Sequence, residues 1–161
     1  MKTRPRIKIE LTTTDKFVEI IGWCALLAIW IMSIIGYSKL PDIIPIHYNF
    51  TGEANAFGGK INILLLPVIA TILFVGLTLV NKYPHIFNYP TKITEENALR
   101  QYTIATRLVR YMKLFVVLIF GFIVFTIIQN ANELNTLVLP VALGFTVLLL
   151  LYFIIKMYKA K

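Results

Sequence analysis

Four long apolar runs separated by polar stretches of unequal length set the pattern of this chain. Ile20–Ser38, Ile61–Val80, Leu114–Asn132 and Leu134–Ile155 contain no Asp, Glu, Lys, Arg or His. Each is about 19 to 22 residues, enough as a helix to cross the ~30 Å hydrocarbon layer of a bilayer. Lipid offers no hydrogen bonds, and continuous Leu/Ile/Val/Phe runs suit self-satisfied helices rather than the alternating strands of a barrel. The pattern predicts an all-α integral membrane four-helix bundle, one domain over 1–161. Its helices are expected at about 17–38, 61–81, 95–130 and 134–157, with a structured loop at 39–60. The first run follows a polar segment and is not succeeded by an A-x-A cleavage site, so it reads as a retained anchor rather than a signal peptide.

Punctuation refines this picture. Pro140 falls in the first turn of the fourth helix, where a missing N–H is harmless, whereas Pro67 is expected a turn or two into the second and should bend it. The connection Asn130–Asn135 is short, which predicts a tight antiparallel pair of helices three and four. After Pro84 and Pro90, Thr94 is placed to cap a helix with Glu95 and Glu96 in its first turn. Ala98, Tyr102, Ala105, Val109 and Met112 then recur at helical spacing, so this amphipathic segment is expected to continue into helix three as one rod of roughly 35 residues, about 50 Å. Glu96 precedes Arg100 by four, a favourable pairing. The Arg100, Arg107, Arg110 and Lys113 row is read as a solvated, lipid-facing support in preference to a protein-docking face.

Composition agrees: 58% hydrophobic and 15% charged residues, with a mean hydropathy of +0.75, are too apolar for an ordinary soluble domain. A net charge of +8 would point to nucleic acid in a soluble protein. Here fourteen basic residues lie before helix one, between helices two and three, or after helix four, and only Lys39 and Lys60 lie elsewhere. That asymmetry predicts both termini and the second loop in the cytoplasm, the first loop outside, and a multi-pass protein of the cytoplasmic (inner) membrane. Membrane lipids, rather than nucleic acid, are the expected partners of the basic residues. Tyr37, Tyr48 and Phe57 on one side and Tyr83, Tyr89, Tyr111, Tyr152 and Tyr158 on the other suit interfacial anchoring. The single cysteine, Cys24, permits no intramolecular disulfide and reads as a packing residue.

Candidate chemistry is confined to the loops. The helix interiors offer only Thr71, Thr78, Thr126, Gln129 and Thr146, which ordinarily bond their own backbone or a neighbour, so proton-coupled transport and carboxylate-pair proteolysis lack their apparatus. Loop 39–60 gathers Pro41, Asp42, Pro45, His47, Asn49, Gly52, Glu53, Phe57 and Lys60. Pro41 and Pro45 end helix one in an extended arm, Asn49, Thr51 and Gly52 make a turn, and Gly58–Gly59 form a second corner. Ile43, Ile44, Ile46, Tyr48 and Phe57 should fold the loop back over the bundle. Asp42, His47 and Glu53 are possible ligands for a divalent metal. Spacings of five and six, without a second nearby histidine, favour instead a histidine hydrogen-bonded within a structured loop. No metal or cofactor is expected.

These residues resemble a known family. Leu40-Pro41-Asp42, Ile44-Pro45-Ile46-His47, Asn49, Gly52-Glu53 and Phe57-Gly58-Gly59-Lys60 are similar to the pattern of the domain of unknown function 1648, which also forms the N-terminal part of SdpI-type immunity and signal-transduction membrane proteins. The cytoplasmic stretch His85-Ile86-Phe87-Asn88-Tyr89-Pro90, then Glu95, Glu96 and Asn97, is similar to that of small four-helix members. The resemblance implies a bacterial membrane protein, in some relatives one that protects against a secreted membrane-active peptide and sequesters a repressor. This chain is expected to lack their further C-terminal membrane part. Three functions follow as expectations: a non-enzymatic recognition, sensing or immunity-like protein using loop 40–60, with a membrane-active peptide or a partner membrane protein as ligand; a small oligomeric transporter; and a metal-dependent membrane enzyme built on Asp42, His47 and Glu53.

Overall fold

A computed structural model describes residues 4–129 and 135–160. Its elements are α1 (Thr13–Tyr37), β1 (Ile43–Tyr48), β2 (Ala54–Gly59), α2 (Leu65–Val80), α3 (Ala98–Ile128) and α4 (Val138–Lys159), with short 3-10 turns at Lys60–Leu64 and Pro84–Ile86. Among the described residues four helices are long and apolar enough to cross a membrane, and the chain is a membrane protein.

The helices start and stop for local reasons. Thr12 caps α1 in a reciprocal box: its hydroxyl accepts from Asp15 N at 3.3 Å while Asp15 Oδ2 accepts from Thr12 N at 3.0 Å. The helix therefore begins four residues before the expected position, at a Thr-x-x-Asp signature. Pro67 is the third residue of α2, not a mid-helix wedge, because the 3-10 turn at Lys60–Leu64 takes up the residues before it. The bend expected there has no cause, since proline in a first turn costs no hydrogen bond. Before α3, Thr94 and Asn97 bond reciprocally and the helix starts at Ala98. Glu95 and Glu96 thus sit in the preceding turn, and Glu96 makes no ion pair with Arg100. At 31 residues α3 is about 46 Å long.

The main core is shared by α1, α2, α3 and the hairpin, through Leu26, Ile29, Ile44, Ile63, Phe74, Val117 and Val124. Gly36 lets α1 press against α3, for a Cβ there would lie 2.6 Å from Ile128 Cδ1. Trp30 Nε1 donates to Thr71 Oγ1 at 3.0 Å, tying α1 to α2. Thr71, Thr78, Thr126 and Thr146 each donate to the carbonyl four residues back, as expected.

Helix α4 packs mainly on α3, and the pair is antiparallel: Gln101 reaches Met157 and Ala160, Tyr111 faces Phe153, and Phe115 faces Phe145. The bundle is thus three helices with a fourth laid on α3, leaving Leu143, Leu148 and Val141 about two-thirds exposed for lipid. The 130–134 part of the expected short connection lies outside the described residues. Cys24 faces outward rather than packing.

Candidate functional site

Loop 39–60 holds a β-hairpin, among the described residues the one departure from helices, turns and coil. β1 and β2 pair antiparallel with Ile43 opposite Gly59, Ile44 opposite Gly58 and Pro45 opposite Phe57, then an irregular register around His47. Strict alternation fails there, which is why the strands were not legible as a period of two. The turn is organised by Asn49. Its Oδ1 accepts from the Thr51 and Glu53 amides at 3.0 and 2.9 Å, and from the Thr51 hydroxyl at 2.6 Å; its Nδ2 donates to Glu53 Oε2 at 2.9 Å. Gly52 takes φ +88°, a conformation other residues rarely adopt. Donation from Asn49, then from Thr51, holds the Glu53 carboxyl below the usual glutamate range.

The base of the hairpin is pinned twice. Lys60 N donates to Asp42 O at 2.9 Å, and Lys60 Nζ pairs with Asp42 Oδ1 at 3.0 Å while lying 5.6 Å from the Tyr37 ring centroid. Ile44 is fully buried with Leu40 and Ile63, so the hairpin is docked on the helices, whereas Ile43 and Phe57 remain exposed. His47 Nδ1 lies 2.6 Å from Asn55 Oδ1. Asp42, His47 and Glu53 therefore each hold a different partner, and among the described residues no three His, Cys, Asp or Glu side chains converge on a metal position. His47 is thus a histidine hydrogen-bonded within a structured loop.

Beneath the hairpin lies an apolar cleft of about 430 Å³. Ile44, Pro45, Ile46, His47 and Tyr48 border it on one side, Leu65, Leu66 and Ile69 of α2 and Ile123 and Ile127 of α3 form its walls, and Leu139 closes it from α4. Asn62 and His47 supply polarity. Successive strand side chains point to opposite faces, so a cavity touching five consecutive residues runs along the strand's edge, the edge that β2 leaves unpaired. Burial raises the Tyr48 hydroxyl above the ordinary tyrosine pKa.

Of the nine residues singled out in this loop, only Pro45 and His47 line the cleft. Asp42, Asn49, Gly52, Glu53 and Lys60 build the hairpin instead, while Pro41 and Phe57 are exposed. The helix-borne walls were missed because an apolar lipid-facing residue and an apolar cleft residue look alike in sequence.

At the opposite end, the Arg107, Arg110 and Lys113 row is not a solvated support. Arg107 Nε donates to Asp15 Oδ1 at 3.0 Å; Lys113 Nζ donates to Glu19 Oε2 and to Thr78 Oγ1, both at 2.6 Å. Arg110 stands 3.2 Å from Glu19 and 3.7 Å from Asp15, contacts of charge without hydrogen-bond alignment. Lys113 is 1% exposed and lies 4.3 Å from the Phe74 ring centroid. The signal was two acids four apart opening α1 and three cations on one face of α3, and only their spacing could have matched them.

The second loop is packed too. Arg4 donates to His85 O at 3.2 Å and Phe87 O at 2.5 Å, and lies over Tyr89. Tyr89 lies between Phe87, on which it stacks, and a tilted Tyr102, and its hydroxyl donates to Pro84 O at 2.8 Å. Burial pushes that hydroxyl's pKa well up. Asn97 Nδ2 donates to Lys92 O at 3.0 Å, while Asn88, Pro90, Glu95 and Glu96 are exposed. These residues shape the loop and converge on no common point.

Residues 24–71, from the middle of α1 through the hairpin into α2, match the family model described as a domain of unknown function, DUF1648. An uncharacterized protein of Archaeoglobus fulgidus is 33% identical over 100 residues, a match covering 53% of this chain and 55% of that relative. The chain thus spans about half the length of the curated relative it matches. No solved structure matches it.

Proposed function

We propose, from the premise that α1, the hairpin and the start of α2 carry the domain of unknown function 1648, that this is a non-enzymatic recognition protein of the cytoplasmic membrane. Its hairpin faces outward, both termini lie inside, and its ligand is an extended peptide with an apolar face. The single observation behind this reading is the apolar cleft running along the unpaired edge of β1. A strand edge supplies main-chain partners to an extended peptide while the adjoining cavity takes alternate side chains. Pro45 carries no N–H, which removes one donor from that edge and restricts the registers a ligand can use. The accumulation of basic residues at the end remote from the hairpin supports the orientation. Protection against a membrane-active peptide, the immunity-like role implied by the SdpI-type resemblance, is one form of this reading.

The test is to fill the cleft. Ile69→Trp and Ile127→Trp should abolish protection of cells challenged with a membrane-active peptide, and His47→Ala should weaken it, with protein levels unchanged. Full protection in both tryptophan variants would remove the cleft from the role.

A second reading, a small oligomeric transporter, is favoured by one observation: a partly covered Glu19 pairs with a buried Lys113 between helices long and apolar enough to cross a membrane, and ionisable groups so placed often mark transport paths. Flux of a substrate into liposomes containing the wild-type chain, lost in Lys113→Met, would favour it over peptide recognition.

A further inference from the structure

The basic end holds a second cavity, about 610 Å³, between the N-terminal segment, α1, α2 and α3. Its wall carries the cations Lys8, Lys82 and Arg110 and the carboxylate Glu19, over an apolar floor that includes Leu11 and Trp23. Glu19 is already held by Lys113 at 2.6 Å. Arg110 is 6% exposed, and although it touches two carboxylates it makes no aligned hydrogen bond. Asn81, 8% exposed, gives its Nδ2 to Thr106 O at 3.0 Å and leaves its buried Oδ1 without a partner. One lined space thus combines excess positive charge with a buried acceptor that has no partner, just where α2 ends at Val80.

We propose that this cavity binds the headgroup of an anionic phospholipid bearing a free hydroxyl, the chemistry of phosphatidylglycerol. The phosphate lies among Lys8, Lys82 and Arg110, where a guanidinium offers a planar fork and the lysines offer point charges. The headgroup hydroxyl donates to Asn81 Oδ1, which answers a buried group otherwise costly to leave unmade. Leu11 and Trp23 meet the glycerol backbone and upper acyl chain at the depth where an indole ring is comfortable. Phosphatidylcholine fails because its quaternary ammonium has no O–H to donate and adds to the positive charge. Phosphatidic acid satisfies the cations but has no alcohol hydroxyl beyond the phosphate with which to reach Asn81.

The test is native mass spectrometry of the full chain released from mixed micelles of phosphatidylglycerol with phosphatidylcholine, and of phosphatidylglycerol with phosphatidic acid. Wild type should retain phosphatidylglycerol in both. The exposed pair Lys8→Gln/Lys82→Gln, which leaves the buried ion pairs intact, should lose about tenfold or more in phosphatidylglycerol affinity. Asn81→Leu should hold phosphatidylglycerol and phosphatidic acid alike. Equal retention of phosphatidylcholine by wild type, or undiminished phosphatidylglycerol binding in the double variant, would overturn the proposal. So would thermal stabilisation by glycerol 1-phosphate that phosphatidylglycerol does not reproduce, which would make the site one for a soluble phosphate.

Discussion

The two ends of the helices solve the problem of polar groups in opposite ways. At the hairpin end the charges are exposed and their partners are near in sequence: Asp42 meets Lys60, and Glu53 meets Asn49 and Thr51, all within one loop. At the basic end Asp15, Arg110 and Lys113 are buried, Glu19 and Arg107 are partly covered, and the partners are remote, the two acids of α1 reaching the three cations of α3. A local pair shapes its own loop and leaves the space beneath free to be apolar. A remote buried pair fixes how two helices sit against each other, because displacing either strands an ion away from water. The hairpin end thus fixes its own loop, and the basic end specifies how α1 and α3 sit together.

This contrast is open to direct attack. The largest effect should come from Lys113→Met, which removes the shortest partner of Glu19 and leaves it only the misaligned contact with Arg110; breaking one side of a buried pair costs about 3–5 kcal/mol. Unfolding in detergent micelles measures it, and Glu19→Gln/Lys113→Met should restore most of the loss. If the single variant is as stable as wild type, the buried pair does not specify the helix arrangement. Next is Gly36→Val near the hairpin, where the added side chain must displace Ile128; overpacking of this kind costs about 1–3 kcal/mol. The same assay applied to Gly76→Ala, where nothing lies within 4 Å of the added Cβ, should show no loss.

Gln101→Leu should act on α4 alone. Its Nε2 donates to Met157 O at 2.8 Å and Ala160 O at 3.0 Å, adding to the bond that Met157 O accepts from Ala160 N at the helix end. Loss of both bonds should cost about 1–2 kcal/mol, seen as faster amide exchange in the last turn of α4 with α1 unaffected. Equal acceleration in α1 would mean that the fourth helix is integral to the bundle.

The smallest effect belongs to the hairpin turn. Glu53 is depressed in the folded chain, so its contribution is present above the ordinary glutamate pKa and fades as pH falls through the lower folded value. The protection factors of the Thr51 and Glu53 amides, taken against the intrinsic rate at each pH, should fall on acidification in that window, while helix protection holds. A turn whose protection is constant through that window would show that the Asn49 bonds suffice without the carboxylate charge.

What could be read from the chain follows the same division. The four spans were legible because lipid imposes a length and a composition that uncharged runs such as Ile61–Val80 satisfy. The Asn49–Gly52 turn was legible because an asparagine and a glycine in that order have few other uses. The strands on either side were not, since Pro45, Gly58, Gly59 and a register irregularity near His47 erase the alternation. The cationic face of α3 was visible but misread as solvated. Its carboxylate partners lie on another helix, and no periodicity within α3 can report a neighbour. The cleft walls were invisible for a related reason: Ile69 and Ile123 belong to runs in which every side chain is apolar, whatever it faces.

The ion pairs between α1 and α3 join residues 91 to 95 positions apart, and this sets a timetable for biogenesis. Asp15 and Glu19 leave the ribosome long before Arg107 and Lys113 do, by roughly 5–20 s at typical rates of synthesis. For that interval the two acids must remain hydrated at the bilayer edge, so α1 cannot settle to its final depth until the third helix arrives to neutralise it. Slowing translation between α2 and α3 should prolong the stage at which the nascent chain is most open to membrane proteases.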